Sequence, residues 1–521
     1  MEPGANGAMT ENGAVSYATI GNSLLDQFGK AGSYRGRDIN DVWTEQSVLW
    51  AENPSAALKF PFYLRMITRK VSNAGKVTAA VQRGAGCRDE AFKRLLWIAK
   101  YHPEEFYRNL WVLPLAGSWK DLWVLLSFPE TDYLDKEKFF RVIASGIKDD
   151  SQRDLVKKYL PRIRSNKKCR TPWSVKTNQM AKDFINFVGW NPVEYRKFKA
   201  SGTAHEFQRN ICAGLYGSIK WNTIPGKALL NLITGEFLER HKLTNSYIKW
   251  VETQPEVKFN GHAFELGRRM HGWESLSRAM KMTIDKQFDN LIKTASDGDG
   301  AIKGNVLCAI DTSGSMDSPV DKYGTTAYDV CVSLGIYFSE LNKGAFHNVV
   351  ASFDNISVLH TLKGNFTDKW DYLRRMTTAW GSTNFQSIID LIVNTRKKHP
   401  EIAIEDYPKT LLVISDMQFN PTTDETTNYE TAMNKLRAVF PAEFVDEFKI
   451  VWWYCTNRET EDFPSTMDHA GTYMFSGFDG AVISFLLGGD DDTDENKERN
   501  NPTMEEIINK AFSQEIMLLI H

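Results

Sequence analysis

The chain has 521 residues, 42% hydrophobic and 12% aromatic, which is enough apolar material for real cores and excludes wholesale disorder. Its 63 Lys and Arg nearly balance 65 Asp and Glu, and the net charge of −2 would by itself dismiss a nucleic-acid partner. No apolar run approaches the ~20 residues of a membrane helix. Six Cys without paired spacing fit buried thiols in a reducing cytoplasm. Residues 1–40 read as a flexible tail, rich at first in Gly, Ala, Asn and Ser, with neither the basic nor the apolar region of a secretory signal. From 41 to 300 apolar positions recur at three-and-four spacing. Examples are Ala91, Phe92, Leu95, Leu96, Ile98 and Ala99, and then Met180, Phe184, Ile185, Phe187 and Val188. Pro103, Pro114, Pro161, Pro192 and Pro225 punctuate the pattern. Many short helices in series predict an α-helical repeat domain, a HEAT-like solenoid or ring.

Residues 296–304 (SDGDGAIKG) form a Gly-rich polar linker, and the rhythm changes after it. Short apolar runs at Asn305–Ile310, His347–Phe353, Thr410–Ser415, Lys449–Tyr454 and Gly471–Phe475 read as strands, with an edge strand at Ile356–His360. Helical patterns lie between them at Ala327–Leu341, Lys369–Met376, Asn384–Lys398 and Tyr429–Phe440, and another helix starts at Ala481–Leu487. Strands alternating with helices predict a doubly wound α/β domain over residues 303–488. Residues 489–521 read as an acidic loop and a last helix, Met504–Leu519. The linker also divides the charge. Residues 1–300 hold 45 basic and 32 acidic side chains, a net of +13, and residues 301–521 hold 18 and 33, a net of −15.

In an open α/β sheet, ligands gather at the carboxyl ends of the strands. The first predicted strand runs into Asp311-Thr312-Ser313-Gly314-Ser315, the loop before the third helix holds Thr383, and the TLLVIS strand runs into Asp416. Two carboxylates and three hydroxyls, with no soft ligand, suit a hard divalent ion such as Mg²⁺ or Mn²⁺. The D-x-S-x-S motif, the later Thr and the later Asp resemble the metal-ion-dependent adhesion site of von Willebrand factor A domains. That resemblance implies that Asp311, Ser313, Ser315, Thr383 and Asp416 hold the metal directly or through water. It also implies an open coordination position for a carboxylate supplied by a protein partner. No P-loop, H-E-x-x-H or G-x-S-x-G is present, and no general base stands beside the motif, so the chain is not expected to be an enzyme.

The positive half concentrates its charge in Arg153, Lys157, Lys158, Arg162, Arg164, Lys167, Lys168 and Arg170, against the single acid Asp154. Arg83 and Arg88, with Lys93 and Arg94, make a looser set. Eleven of the fifteen Trp lie in the same half, where cations for phosphate and rings for bases are the raw material of RNA binding. A helical-repeat module followed by an A domain resembles the Ro autoantigen-like (TROVE-type) proteins. The segments LPLAGSWKDL (Leu113–Leu122), Lys158–Pro161 and SDMQF (Ser415–Phe419) look like those of an uncharacterised family of plants, giant viruses and phages with the same layout. The resemblance implies a non-catalytic ribonucleoprotein component that grips small single-stranded or structured RNA in the cytoplasm, the host's if the source is viral. The alternatives are a metal-dependent protein-interaction scaffold without RNA and, least favoured, a metal-dependent hydrolase.

Overall fold

The computed structural model describes the chain apart from residues 1–6, 11, 33–35, 68, 71–80, 130, 165–168, 170, 202–204, 234–235, 272–275, 297–304, 322, 354–355, 377–382, 422–426, 457–462, 467, 470, 479–485 and 487–501. It folds as two compact units. An α/β unit comprises residues 1–36 and 210–509, and a helical unit comprises residues 37–209 and 510–521. Among the described residues no helix is long and apolar enough to cross a membrane.

The described residues of 7–32 are not a free tail. They supply hairpin strands β1 (Gly7–Met9) and β2 (Val15–Tyr17) and helix α1 (Ser23–Gly29) to the α/β unit. The helical unit contains α2 (Ile39–Glu52), α3 (Pro54–Arg65), the short ladder of β3 (Arg69–Lys70) and β4 (Val81–Gln82), and α4 (Arg88–Tyr101). It continues with α5 (Pro103–Asn109), α6 (Leu113–Ala116), α7 (Trp119–Ser127), α8 (Lys136–Lys148), α9 (Arg153–Tyr159), α10 (Pro172–Val188) and α11 (Pro192–Ala200). Pro103, Pro114 and Pro192 stand in the first turns of α5, α6 and α11, where a missing N–H costs nothing. The α4 stripe read from the sequence is buried as a set, Ala91, Phe92, Leu95, Leu96, Ile98 and Ala99. Residues 510–521 dock on this unit. The Gln514 amide brackets the Arg83 peptide, accepting from its N–H (2.8 Å) and donating to its carbonyl (3.0 Å), and Met517 is fully buried.

α12 (Glu206–Cys212) spans the junction, and α13 (Gly226–Ile233), α14 (Phe237–Arg240), α15 (Thr244–Glu252), α16 (Ala263–Gly267) and α17 (Arg278–Ser296) belong to the α/β unit. The compact α/β unit therefore also takes in helices that precede the Gly-rich linker. The sheet contains β5 (Val306–Asp311), β6 (Val349–Phe353), β7 (Val358–Thr361), β8 (Thr410–Ser415), β9 (Lys449–Tyr454) and β10 (Thr472–Ser476), in the order β10-β9-β8-β5-β6-β7. All neighbours are parallel except the β6–β7 pair at one edge. β5, β6 and β8 are buried along their whole length, as strands covered on both faces require. The covering helices include α18 (Ala327–Leu341), α19 (Phe366–Met376), α20 (Phe385–Lys398), α21 (Asn428–Arg437) and α22 (Ala442–Asp446). α17 joins this layer through Phe288, whose ring lies 4.5 Å from that of Phe366, and through Asp285, which accepts the Thr367 N–H at 2.9 Å. The expected helix at 481–487 and the acidic loop lie outside the described residues, save Leu486. The last helix ends at Phe512, seven residues before the expected end.

The far edge strand, β10, is covered by the N-terminal segment. The Gly32 N–H donates to Ser476 Oγ at 2.7 Å, and its backbone lies so close that a Cβ there would sit 2.2 Å from Gly477 Cα. The Tyr17 N–H donates to the Phe463 carbonyl at 2.8 Å, and the Phe463 N–H returns the bond at 2.7 Å. Gly32→Ala should therefore destabilise the α/β unit by about 1–3 kcal/mol through overpacking. A lowered thermal midpoint is the expected result, and an unchanged one would show that residues 7–32 are not docked.

Candidate metal centre and basic surface

β5 leads through α18 to β6 on one side, whereas β8 lies on its other side. The carboxyl ends of β5 and β8 thus form the switch point of the sheet, with Ile310 paired to Ile414. Asp311 closes β5 and is fully buried, and Asp416 follows β8 and is 1% exposed. Asp311 Oδ1 accepts the Ser313 N–H at 2.9 Å, and Oδ2 accepts the Ser415 hydroxyl at 2.5 Å. The Ser313 and Ser315 hydroxyl oxygens are 3.0 Å apart. Asp416 Oδ1 accepts the Gln418 N–H at 3.3 Å, while Oδ2 is buried without a hydrogen-bond partner among the described residues. Thr383 is buried before α20, and its carbonyl accepts the Asn420 N–H at 2.9 Å, which ties its loop to the segment after β8. Gly381 and Ser382 lie outside the described residues.

Burial first, and then the neighbouring Asp416 carboxylate, push the Asp311 carboxyl above the ordinary range, and the Ser415 and Ser313 hydrogen bonds pull it partly back. A buried carboxylate oxygen with no donor is costly, and a cation would relieve both the orphaned oxygen and the repulsion. The donors fit a hard ion. Among the described residues no three His, Cys, Asp or Glu side chains converge, so hydroxyls, carbonyls or water would have to complete a shell. The nearby thiols do not contribute. Cys331 Sγ donates to the Ile414 carbonyl at 3.4 Å and Cys455 Sγ to the Ser415 carbonyl at 3.6 Å, and burial pushes both thiols upward. Two contributors escaped the sequence reading. Ser415 lies one residue before the candidate ligand Asp416, inside a strand. Met417 takes a left-handed backbone (φ 64°), which no composition rule signals for Met.

The helical unit carries 32 Lys and Arg against 20 Asp and Glu, a net of +12, whereas the α/β unit carries 31 against 45, a net of −14. The structure sorts the predicted cations. Arg153 is used locally: it donates to the Ile147 and Lys148 carbonyls (2.8 and 3.3 Å) and pairs with Asp150. Lys157 pairs with Asp154 at 3.2 Å and lies over the Phe198 ring. Arg88 pairs with Asp89, and burial lowers the pKa of the Arg83 guanidinium. Arg94 is wholly interior, bound to Glu90, Gln46 and Glu45 at 2.8–3.2 Å. Lys167, Lys168 and Arg170 lie outside the described residues.

Lys158, Arg162 and Arg164 remain exposed, without an acidic partner among the described residues. α11 adds Arg196 and Lys197, likewise exposed and absent from the sequence reading, although the run EYRKFK carries them. The Tyr195 hydroxyl donates to the Pro161 carbonyl at 2.7 Å, and the Lys199 ammonium donates to the Leu160 carbonyl at 2.5 Å, so α11 is pinned to the end of α9. Burial, and then the neighbouring Arg162, depress the Lys199 pKa, as expected where cations crowd without acids. Of the helical unit's Trp side chains, Trp97, Trp119 and Trp123 are buried in the core. Trp111 and Trp173 are nearly half exposed.

Residues 305–517 match the model of a domain of unknown function (DUF7788). An uncharacterized protein of Acanthamoeba polyphaga mimivirus is 22% identical over 527 residues, covering 94% of this chain and 86% of its own length. The crystal structure of the Ro (RSR) protein of Deinococcus radiodurans is similar to this chain with a TM-score of 0.42 at 13% identity, covering 76% of this chain and 86% of the other.

Proposed function

We propose that the protein is a non-catalytic RNA-binding component of a cytoplasmic ribonucleoprotein. Its helical unit, read as HEAT-like stacked helix pairs, takes RNA phosphates. Its α/β unit holds Mg²⁺ or Mn²⁺ and offers the open position to a partner's carboxylate. The observation that carries the RNA reading is the exposed set Lys158, Arg162, Arg164, Arg196 and Lys197, none of them ion-paired among the described residues, on a unit of net charge +12. Unpaired surface cations clustered on adjacent elements suit a polyanion, because counterion release from phosphates drives the association. The exposed Trp173 ring, near the end of the same basic run, suits stacking on an unpaired base. The metal reading is supported by the orphaned Asp416 Oδ2 beside Asp311, with hydroxyls at hand. Asp311, Ser313, Ser315, Thr383 and Asp416 would hold the ion, whose positive charge would draw an acidic group.

A second reading, a protein-interaction scaffold without RNA, takes the same basic surface as a dock for an acidic protein. Salt titration with a single-stranded RNA separates the two. Replacing Lys158, Arg162 and Lys197 together by Ala should reduce the log–log salt slope by about two, at ~0.7 per phosphate contact. An unchanged slope, or no binding by the unaltered protein at low salt, rejects the RNA reading.

For the metal, Asp311→Ala should abolish Mn²⁺ binding in calorimetry while circular dichroism stays native. Retained affinity in that variant refutes the site.

A further inference from the structure

The segment after β8 makes an abrupt turn. Met417 is left-handed, and the Phe419 N–H donates back to the Met417 carbonyl at 3.0 Å. Such a conformation persists only where its surroundings over-determine it. On one side the Asn420 N–H donates to the Thr383 carbonyl. On the other, the N-terminal hairpin supplies two side chains. Asn12 Nδ2 donates to the Gln418 carbonyl at 2.6 Å, and the Thr10 hydroxyl donates to the Phe419 carbonyl at 2.7 Å. Thr10 is buried, and its Oγ1 also accepts the Ala14 N–H at 2.9 Å. The turn at Gly13, with φ 89°, presents both residues to the segment.

Gln418 joins the two systems. Its carbonyl is held by Asn12, and its N–H is the donor to Asp416 Oδ1. A residue from the start of the chain is thus two hydrogen bonds from a carboxylate more than 400 positions away.

We propose that Thr10 and Asn12 are positioning residues of the divalent-cation site, and that the N-terminal hairpin sets the affinity of that site. The inference rests on the reading that Asp416 is a ligand. The hairpin saturates the Gln418 and Phe419 carbonyls and so holds the Gln418 N–H on Oδ1. That contact leaves Oδ2 as the face of Asp416 available to an ion. With the hairpin displaced, the two carbonyls turn to water, Met417 leaves the left-handed region, and the carboxylate loses its fixed direction. Any event that lifts residues 10–14 then weakens the site without touching a ligand.

The test uses the full chain and Mn²⁺ as probe, read by electron paramagnetic resonance, with the thermal midpoint of the metal-free protein measured alongside. Thr10→Val removes the hydroxyl at constant shape, Thr10→Ser keeps it, and Asn12→Ala removes an amide on a more exposed position. Thr10→Val and Asn12→Ala should each weaken Mn²⁺ binding by about tenfold, the scale of losing a group that orients a ligand. Thr10→Ser should retain the unaltered affinity. Loss of thermal stability in Thr10→Val with Mn²⁺ affinity unchanged would assign the hairpin a structural role only and overturn the proposal. Unchanged affinity in Asn12→Ala overturns it too, provided that Asp311→Ala no longer binds; the metal site itself then stands. No Mn²⁺ binding by the unaltered protein defeats the metal reading and this inference together.

Discussion

Two carboxylates buried side by side are the constraint around which the α/β unit is arranged. Like charges removed from water repel strongly and lose hydration, a combined penalty on the order of several kcal/mol for each ion. The fold meets the penalty with donors from three directions. Ser415 and Ser313 bond Asp311, and Gln418 bonds Asp416. The parallel register of β5 and β8 makes the encounter unavoidable, because it brings the last residues of both strands to one edge. One Asp416 oxygen has no hydrogen-bond partner among the described residues.

The helical unit solves a different problem of charge. It has a surplus of cations, and those it can use, it uses. Arg94 satisfies an interior network on α2 and α4, Arg153 caps the end of α8, and Lys199 caps the end of α9. Cations suit such helix ends because the free carbonyls there carry partial negative charge. The remaining cations cluster on α9, α11 and the segment after α9, and among the described residues they form no ion pair with a carboxylate. The separation of structural from free cations is thus set by geometry, since both kinds occur in the same short run of sequence.

Much was legible because it is local. β5, β6, β8 and β9 announce themselves as apolar runs bounded by polar loops. The candidate ligand positions follow from reading what lies just beyond each strand end, a rule of topology that needs only strand order. The helical stripe of α4 was legible for the same reason, because a 3.6-residue period marks a buried face. The reach of the α/β unit into the helical half was not. α17 packs on α13 and α15 as a helical repeat would, yet it also packs on α18 and α19, and α16 packs on α18. The hairpin at residues 7–17 was not legible either, since Gly- and Ala-rich segments look mobile until a partner edge is known.

The sequence by itself determined the main strands of the sheet, the α/β alternation and the oxygen-bearing side chains at the strand ends, because periodicity and short motifs are properties of neighbouring residues. Only the tertiary structure decided which core each amphipathic helix covers, which cations are consumed as caps and ion pairs, and that Thr10 and Asn12 reach the Asp416 segment. A hydrophobic period states that a face is buried and is silent on what buries it. A basic run states that charge is present and is silent on which carbonyls or carboxylates lie across from it. Both answers depend on residues far apart in the chain, and the fold alone brings those together.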